Sequence, residues 1–128
     1  MTGQPKILIV EDETSVAMMM VFLLTRAGCE VQSAWKIEKV LELAKLYAFD
    51  LVTLDVNMSG ANGFDVCRRL RQISNLKDTP VIFVTGCVTA EDRQRAFEFG
   101  ATDFIEKPFD SKSLVSRVLS QLEGSTMT

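Results

Sequence analysis

An α/β fold is predicted from the sequence, with a five-stranded parallel sheet between two layers of helices. Nearly continuous apolar runs at residues 7–10, 51–54 and 81–84 are typical of parallel strands that are covered on both faces. Stretches with helical periodicity separate these runs along the whole chain. The length of 128 residues fits one domain, and we expect a single domain over 1–128 with its core at about 5–123.

The two remaining strands are predicted at the edges of the sheet. Residues 31–34 are more polar than the other runs, and the apolar pair at 104–105 is very short. Right-handed crossovers and these two weak edges favour the strand order 2-1-3-4-5, which is the flavodoxin-like, doubly wound arrangement. In that order strands 1 and 3 are neighbours at the switch point where ligands bind.

Five helices are predicted between and after the strands, the first over residues 14–27. Asn62 is placed to cap the third, and residues 89–92 form a capping-box pattern at the start of the fourth. Arg68, Arg69 and Arg71 are interpreted as a solvated face of the third helix. The fifth helix is predicted from an apolar stripe that consists of Leu114, Val115, Val118, Leu119 and Leu122.

Composition excludes several classes of function. A net charge of −3 argues against direct nucleic-acid binding, and the absence of histidine excludes Ser-His triads and histidine metal sites. Cys29, Cys67 and Cys87 form no CxxC pair and are expected to be reduced. The N-terminus lacks a signal-peptide layout, and the longest apolar run, 17–24, is too short to span a bilayer. We therefore expect a cytoplasmic protein with no membrane partner.

Polar residues follow four of the predicted strands at the point where each strand ends. Glu11 and Asp12 follow strand 1, Asp55 follows strand 3, Thr85 ends strand 4 and Lys107 follows strand 5. Because the carboxyl ends of parallel strands meet at one edge, these side chains are expected to converge. Each pair of carboxylates at about 4 Å costs roughly 4 kcal/mol at an effective dielectric near 20, so a hard dication is expected among them.

Asp55 is the predicted nucleophile for phosphoryl transfer. A carboxylate is ionised at neutral pH and forms an acyl phosphate without a general base. The predicted ligands of Mg²⁺ (or Mn²⁺) are Asp12, Asp55 and the backbone carbonyl of Asn57, with Glu11 acting through water. The Lys107 ammonium and the Thr85 hydroxyl are each expected to contact one phosphoryl oxygen.

The chain resembles the response-regulator receiver family of two-component signalling, and the chemotaxis-regulator type in particular. The resemblance rests on four motifs in the family's order and spacing. They are Ile-Val-Glu-Asp-Glu at 9–13, Leu-Asp-Val-Asn-Met at 54–58 with Gly63 after it, Val-Thr-Gly at 84–86, and Gly-Ala-Thr-Asp-Phe-Ile-Glu-Lys-Pro-Phe at 100–109. Each motif is weak alone, but the four together cover essentially the whole chain.

The resemblance implies a phosphorelay receiver. It makes Asp55 the phospho-acceptor, Thr85 the switch hydroxyl, Phe104 the switch aromatic and Lys107 the conserved lysine, with a Lys107-Pro108 bond that is often cis in the family. The implied donor is a sensor histidine kinase or a histidine phosphotransfer protein. The implied output is a changed helix 4–strand 5–helix 5 face, which a downstream protein target or a self-dimer would use. Such a protein catalyses its own phosphorylation and dephosphorylation but is not a classical enzyme.

Departures from the family pattern predict local differences. Ser59 replaces a frequent proline, and Phe99 replaces a small residue before Gly100. Asn57 and Cys87 are expected to tune the rate of dephosphorylation. The residues expected to dock the partner are Met18, Val21, Phe22 and Phe99.

Three other functions remain open from the sequence. An aspartate-nucleophile phosphatase would need a second aspartate where Asn57 stands. A nucleotide or flavin binder would need a Gly/Ser/Thr-rich loop after strand 1, where residues 11–13 are acidic. The main alternative is a receiver-like protein–protein interaction module that does not require phosphorylation.

Overall fold

A computed structural model describes residues 3–58, 61–86 and 89–126 of the chain. Within these residues, one five-stranded parallel sheet has the order β2-β1-β3-β4-β5, which confirms the predicted topology. The elements in chain order are β1 (Lys6–Val10), α1 (Thr14–Arg26), β2 (Glu30–Ala34), α2 (Ile37–Leu46), β3 (Leu51–Leu54), α3 (Gly63–Arg71), β4 (Val81–Thr85), α4 (Ala90–Glu98), β5 (Asp103–Glu106) and α5 (Ser111–Thr126). A short antiparallel ladder joins Asn57–Met58 to Ala61–Asn62, directly before α3.

The sheet separates two apolar layers. Alternate residues of a strand point to opposite faces, so Leu8 and Val10 pack with α2, α3 and α4, whereas Ile7 and Ile9 pack with α1 and α5. All four side chains are essentially inaccessible to solvent. Burial on both faces explains why the central strands are apolar at nearly every position, with Thr53 of β3 as a buried exception, and it leaves the ends of the strands as the main place for polar side chains.

The helix starts agree with their predicted caps. The Asn62 side chain accepts a hydrogen bond from the backbone N–H of Phe64 at 2.8 Å, and Thr89 forms a capping box with Asp92. The apolar stripe predicted for α5 is wrong at one position. Leu114, Val118 and Leu122 are buried, but Leu119 is 37% exposed, because it lies on the edge of the helix face that meets the sheet.

The expectation that Arg71 belongs to a solvated helix face is wrong. Arg68 and Arg69 are exposed, but the Arg71 guanidinium donates hydrogen bonds to the carbonyl oxygens of Leu76 at 2.9 Å and Gly100 at 2.6 Å, and also to that of Thr79. Gly100 has a φ of +96°, and a Cβ added there would lie 3.1 Å from Arg71 Nε. Arg71 therefore ties α3 to two loops on the same side of the sheet.

The predictions about the cysteines and about membrane spans are tested only for the described residues. Cys29 and Cys67 are buried free thiols, as expected, and Cys87 lies outside the described residues, as does Ser59. Among the helices described, none combines the length and apolar character that a membrane span requires.

Candidate functional site

Backbone hydrogen bonds just beyond the strands place the predicted site residues at one edge of the sheet. The Glu11 N–H donates to the Ala34 carbonyl at 3.2 Å, and the Asp55 N–H donates to the Val10 carbonyl at 3.1 Å. The Lys107 N–H donates to the Thr85 carbonyl at 2.8 Å. The parallel ladders thus continue for one residue past each strand, and this continuation brings side chains from four strand ends into one pocket.

Three carboxylates form the acidic wall of the pocket. Oxygens of Glu11, Asp12 and Asp55 all lie within 4.8 Å of one another. Glu11 is 3% exposed and Asp55 is 4% exposed, whereas Asp12 is half-buried. Hard oxygen donors this close, with unfavourable mutual repulsion, suit a small dication such as Mg²⁺, so the residues present fit the expected metal.

The Lys107 ammonium lies opposite the acidic wall. Its Nζ is 2.7 Å from Glu11 Oε1, 3.0 Å from Asp55 Oδ2 and 3.5 Å from Glu13 Oε1. Glu11 and Asp55 are both almost completely buried, so these two pairs are shielded from solvent, whereas Glu13 is exposed and its pair is screened. Lys107 can therefore supply positive charge directly beside the Asp55 carboxylate.

The pKa values of Glu11 and Lys107 are both raised, which disfavours the Glu11 carboxylate and favours the Lys107 ammonium ion. Burial raises the pKa of Glu11, although hydrogen bonds from Lys107 and from the Glu13 backbone oppose the effect. Burial lowers the pKa of Lys107, but hydrogen bonds and charge from Glu11 and Asp55 outweigh it, so that this pKa is raised. Lys107 consequently remains an ammonium ion at neutral pH despite its burial.

The remaining wall of the pocket consists of polar groups around Asp55. The Asn57 N–H donates to Asp55 Oδ1 at 3.0 Å, which orients the carboxylate. The Thr85 hydroxyl is buried and has no hydrogen-bond partner among the described residues. Gly63 is required behind the site, because a Cβ there would lie 2.3 Å from the Asp55 carbonyl oxygen.

An open cavity of about 500 Å³ covers Asp55, Asn57, Thr85 and Lys107. Its apolar rim includes Val16 and Met19 of α1 together with the loop after β5. Glu13, Val16 and Met19 also belong to the site but were not predicted as site residues from the sequence. Their signal was their position after the acidic pair, since Glu13 directly precedes α1 and Val16 and Met19 lie in its first two turns.

The other predicted functional residues lie outside this cavity. Phe104 is buried in the core, with its ring centroid 6.4 Å from that of Phe83. Phe99 is half-buried, and its ring lies 5.5 Å from Phe64. Met18, Val21 and Phe22 line a separate groove on another side of α1. The Lys107-Pro108 peptide bond is cis, as the family resemblance implied.

Comparison with known proteins agrees with this geometry. The model of the response regulator receiver domain matches residues 7–119. The cell cycle response regulator CtrA of Brucella ovis is 33% identical over 113 residues, which cover 88% of this chain and 48% of CtrA, so the chain spans about half the length of the curated relatives it matches.

Solved structures give the same relationship over nearly whole chains. The chemotaxis protein CheY4 of Vibrio cholerae has a TM-score of 0.88 and 31% sequence identity, with 92% of this chain and 98% of CheY4 covered. A response regulator described as putative, from Chloroflexus aurantiacus, has a TM-score of 0.87 and 33% identity, with 94% and 98% covered. The chain therefore belongs to the response regulator receiver domain family.

Proposed function

We propose that this chain is a phosphorelay receiver in which Asp55 accepts a phosphoryl group from a histidine-phosphorylated partner. The observation that carries the proposal is the 3.0 Å contact between Lys107 Nζ and Asp55 Oδ2, inside a pocket that also holds the Glu11 and Asp12 carboxylates. A buried nucleophile beside a fixed cation and an acidic cluster is the arrangement that phosphoryl transfer requires.

The chemistry assigns one task to each group. A carboxylate oxygen of Asp55 attacks phosphorus while the P–N bond to the donor's imidazole breaks, and the bonding electron pair leaves with the imidazole. Lys107 and the Thr85 hydroxyl, which has no hydrogen-bond partner in the described part of the chain, each bind one equatorial oxygen. A divalent cation held by Asp12, Asp55 and the Asn57 carbonyl, with Glu11 acting through water, would neutralise charge on the phosphoryl oxygens.

The switch follows from the position of Thr85. Its buried hydroxyl lacks a partner in the described structure, so a phosphoryl oxygen gives it a new hydrogen bond and favours movement toward Asp55. Phe104 then fills the vacated space, and the helix 4–strand 5–helix 5 face changes. That face carries exposed Arg93–Glu106 and Arg117–Asp103 pairs. Inverting a 99:1 ratio of inactive to active forms requires about 5.5 kcal/mol.

The partners follow from the open side of the pocket. A sensor histidine kinase or a histidine phosphotransfer protein can present its phosphohistidine through the cavity mouth, past Val16 and Met19. Docking by Met18, Val21, Phe22 and Phe99 stays a prediction. Output passes to a downstream protein target or to a self-dimer.

Asn57 and Cys87 are expected to tune the rate of dephosphorylation. Asn57 lies at the cavity mouth, where it can affect the water that attacks the aspartyl phosphate. Cys87 lies outside the described residues, so its role stays a prediction.

The test is phosphorylation by a small-molecule acyl phosphate with Mg²⁺, followed by intact mass measurement. Wild type is expected to gain one phosphoryl group, and Asp55→Asn is expected to gain none. Asp65→Asn is the matched control, because Asp65 is an exposed carboxylate that pairs with Arg68 on α3, and it should gain mass like wild type. A folded wild-type protein without an adduct would support the phosphorylation-independent interaction module instead.

A further inference from the structure

Glu13 is an acidic residue of the cavity over Asp55 that neither helix capping nor the expected metal explains. It is the N-cap residue of α1, yet its side chain forms no capping hydrogen bond, and glutamate is not among the residues that N-cap positions prefer. It is also not one of the three carboxylates, those of Glu11, Asp12 and Asp55, that lie close enough together to share a metal. Its charge therefore needs another explanation.

The Glu13 carboxylate lies between solvent and the nucleophile. Its Oε1 is 3.5 Å from Lys107 Nζ, and the same ammonium is 3.0 Å from Asp55 Oδ2. The Glu13 side chain is 62% exposed, whereas Asp55 is buried at the base of the same cavity. The rim residues Val16 and Met19 carry no charge that would offset it. A phosphodonor that approaches Asp55 therefore meets the field of this carboxylate.

Phosphodonors differ in the charge that they bring to the cavity. A phosphoryl group carries close to two negative charges at neutral pH, and an acyl phosphate has no positive group to offset them. In phosphoramidate the nitrogen on phosphorus is protonated at neutral pH, and in a phosphohistidine the second ring nitrogen can carry a proton. These nitrogen donors then have one net negative charge instead of two. A single carboxylate at the cavity therefore repels an acyl phosphate more strongly than it repels a nitrogen donor.

We propose that Glu13 is a specificity-determining residue, which selects donors whose phosphorus is bonded to a protonatable nitrogen over acyl phosphates. This inference rests on the proposed function, because it concerns the donor to Asp55. In both reactions an Asp55 carboxylate oxygen forms the new O–P bond. From a nitrogen donor the electron pair of the broken P–N bond leaves on neutral imidazole or ammonia. From an acyl phosphate the pair of the broken P–O bond leaves on a carboxylate, so a second anion must also depart past Glu13.

The test compares two small donors, phosphoramidate and acetyl phosphate, on the same protein. Second-order rate constants for phosphorylation are measured by intact mass at pH 7 with saturating Mg²⁺. The readout is the ratio of the phosphoramidate constant to the acetyl phosphate constant, because changes in folding, in metal binding or in the position of Lys107 affect both donors. Glu13→Gln is expected to lower this ratio about fivefold, mainly because acetyl phosphate reacts faster. Glu13→Lys should lower it further.

Two controls separate donor selection from other effects of losing a charge. Glu38→Gln removes an exposed carboxylate from the first turn of α2, outside the cavity lining, and should leave the ratio unchanged. Raising the salt concentration from about 0.05 M to about 0.5 M should lower the wild-type ratio, because Glu13 is exposed and its field is screened. The ratio of Glu13→Gln should respond less to salt. Asp55→Asn should gain no mass from either donor.

Two results would overturn the role of Glu13 and leave the proposed function intact. The first is phosphorylation of Glu13→Gln by both donors at the wild-type ratio, which would reduce Glu13 to a positioning residue for Lys107. The second is an equal fall of the ratio in Glu38→Gln, which would indicate an effect of overall charge. Folded wild-type protein that gains no mass from either donor would instead overturn the proposed function, and the selection of donors with it.

Discussion

Lys107 and Arg71 each bring distant segments of the chain together, but their partners are chemically different. The Lys107 ammonium lies among the carboxylates of Glu11, Glu13 and Asp55. The Arg71 guanidinium lies among backbone carbonyl oxygens, including those of Leu76, Thr79 and Gly100. One cation neutralises charge at the carboxyl ends of the strands, and the other satisfies hydrogen-bond acceptors between α3 and the loops beside it.

The difference between the partners determines what each cation can do. Carboxylates have net charge and can exchange one cation for another, so the environment of Lys107 can respond to a metal or a phosphoryl group. Backbone carbonyls have no net charge, and the planar guanidinium matches their fixed positions with several donors at once. We therefore expect Arg71 to be a permanent structural link and Lys107 to be a group whose interactions change with ligands.

The largest expected effect is that of Arg71→Met on stability. The substitution leaves the carbonyls of Leu76, Thr79 and Gly100 without their charged donor, and we expect the free energy of unfolding to fall by about 4 kcal/mol. Urea unfolding followed by circular dichroism measures the change. Arg71→Lys should recover less than half of it, because one ammonium cannot reproduce the planar array of donors.

A neighbouring arginine provides the control for Arg71. Arg68 is exposed and pairs with Asp65 on the same helix, so Arg68→Met should change the free energy of unfolding by less than about 0.5 kcal/mol. If Arg71→Met were as mild as Arg68→Met, the hydrogen bonds to the carbonyls would contribute little to the free energy of unfolding. Arg71 would then not be the structural link that distinguishes it from Lys107.

Lys107→Met should have a smaller effect that depends on metal. Without divalent cations, the variant is expected to lose about 2 kcal/mol, because Glu11 and Asp55 repel each other without a counter-charge. Mg²⁺ should restore most of this loss and so stabilise Lys107→Met more than wild type. Thermal unfolding with and without Mg²⁺ measures the difference. Equal stabilisation of Lys107→Met, Arg71→Met and wild type by Mg²⁺ would contradict an exchange between lysine and metal.

The two cations also differ in how well the sequence predicts their roles. Lys107 could be assigned because its partners are side chains, and Glu11 and Asp55 are recognisable as acidic residues that follow apolar strands. The sheet order could be predicted from the same strands, since strands that are buried on both faces are apolar at nearly every position and the more polar strands lie at the edges. The convergence of the site at one sheet edge was therefore predictable from local patterns and topology together.

Arg71 was mispredicted because backbone carbonyls have no signature in the sequence. Every residue has one, and only the folded positions of the segments around Leu76 and Gly100 make them acceptors for this guanidinium. The groove beside α1 was only partly predicted for a related reason. Met18 and Phe22 were predicted as docking residues, but Trp35 was not, because only the packing of α1 beside the end of β2 brings it next to them.

The smallest expected effect concerns Cys67, which lies one helical turn before Arg71. Its Sγ donates a hydrogen bond to the Phe99 carbonyl at 3.2 Å, and burial raises its pKa above the ordinary 9.0, although the charge of Arg71 opposes the shift. A raised pKa means that the folded state favours the neutral thiol. The stabilisation that results is fully present below pH 9 and is lost as pH rises from there through the pKa of the folded protein.

Cys67→Ser isolates this contribution, because serine retains a donor for the Phe99 carbonyl but does not ionise in this range. We expect the advantage of wild type over Cys67→Ser in free energy of unfolding to be constant up to pH 8. Above pH 9 it should decrease by up to about 1.4 kcal/mol per pH unit. Urea unfolding at pH 7, 8, 9 and 10 measures it. A constant difference across this range would mean that the Cys67 thiolate is as stable in the folded chain as in the unfolded chain. The charge of Arg71 would then stabilise this thiolate in addition to binding the backbone carbonyls.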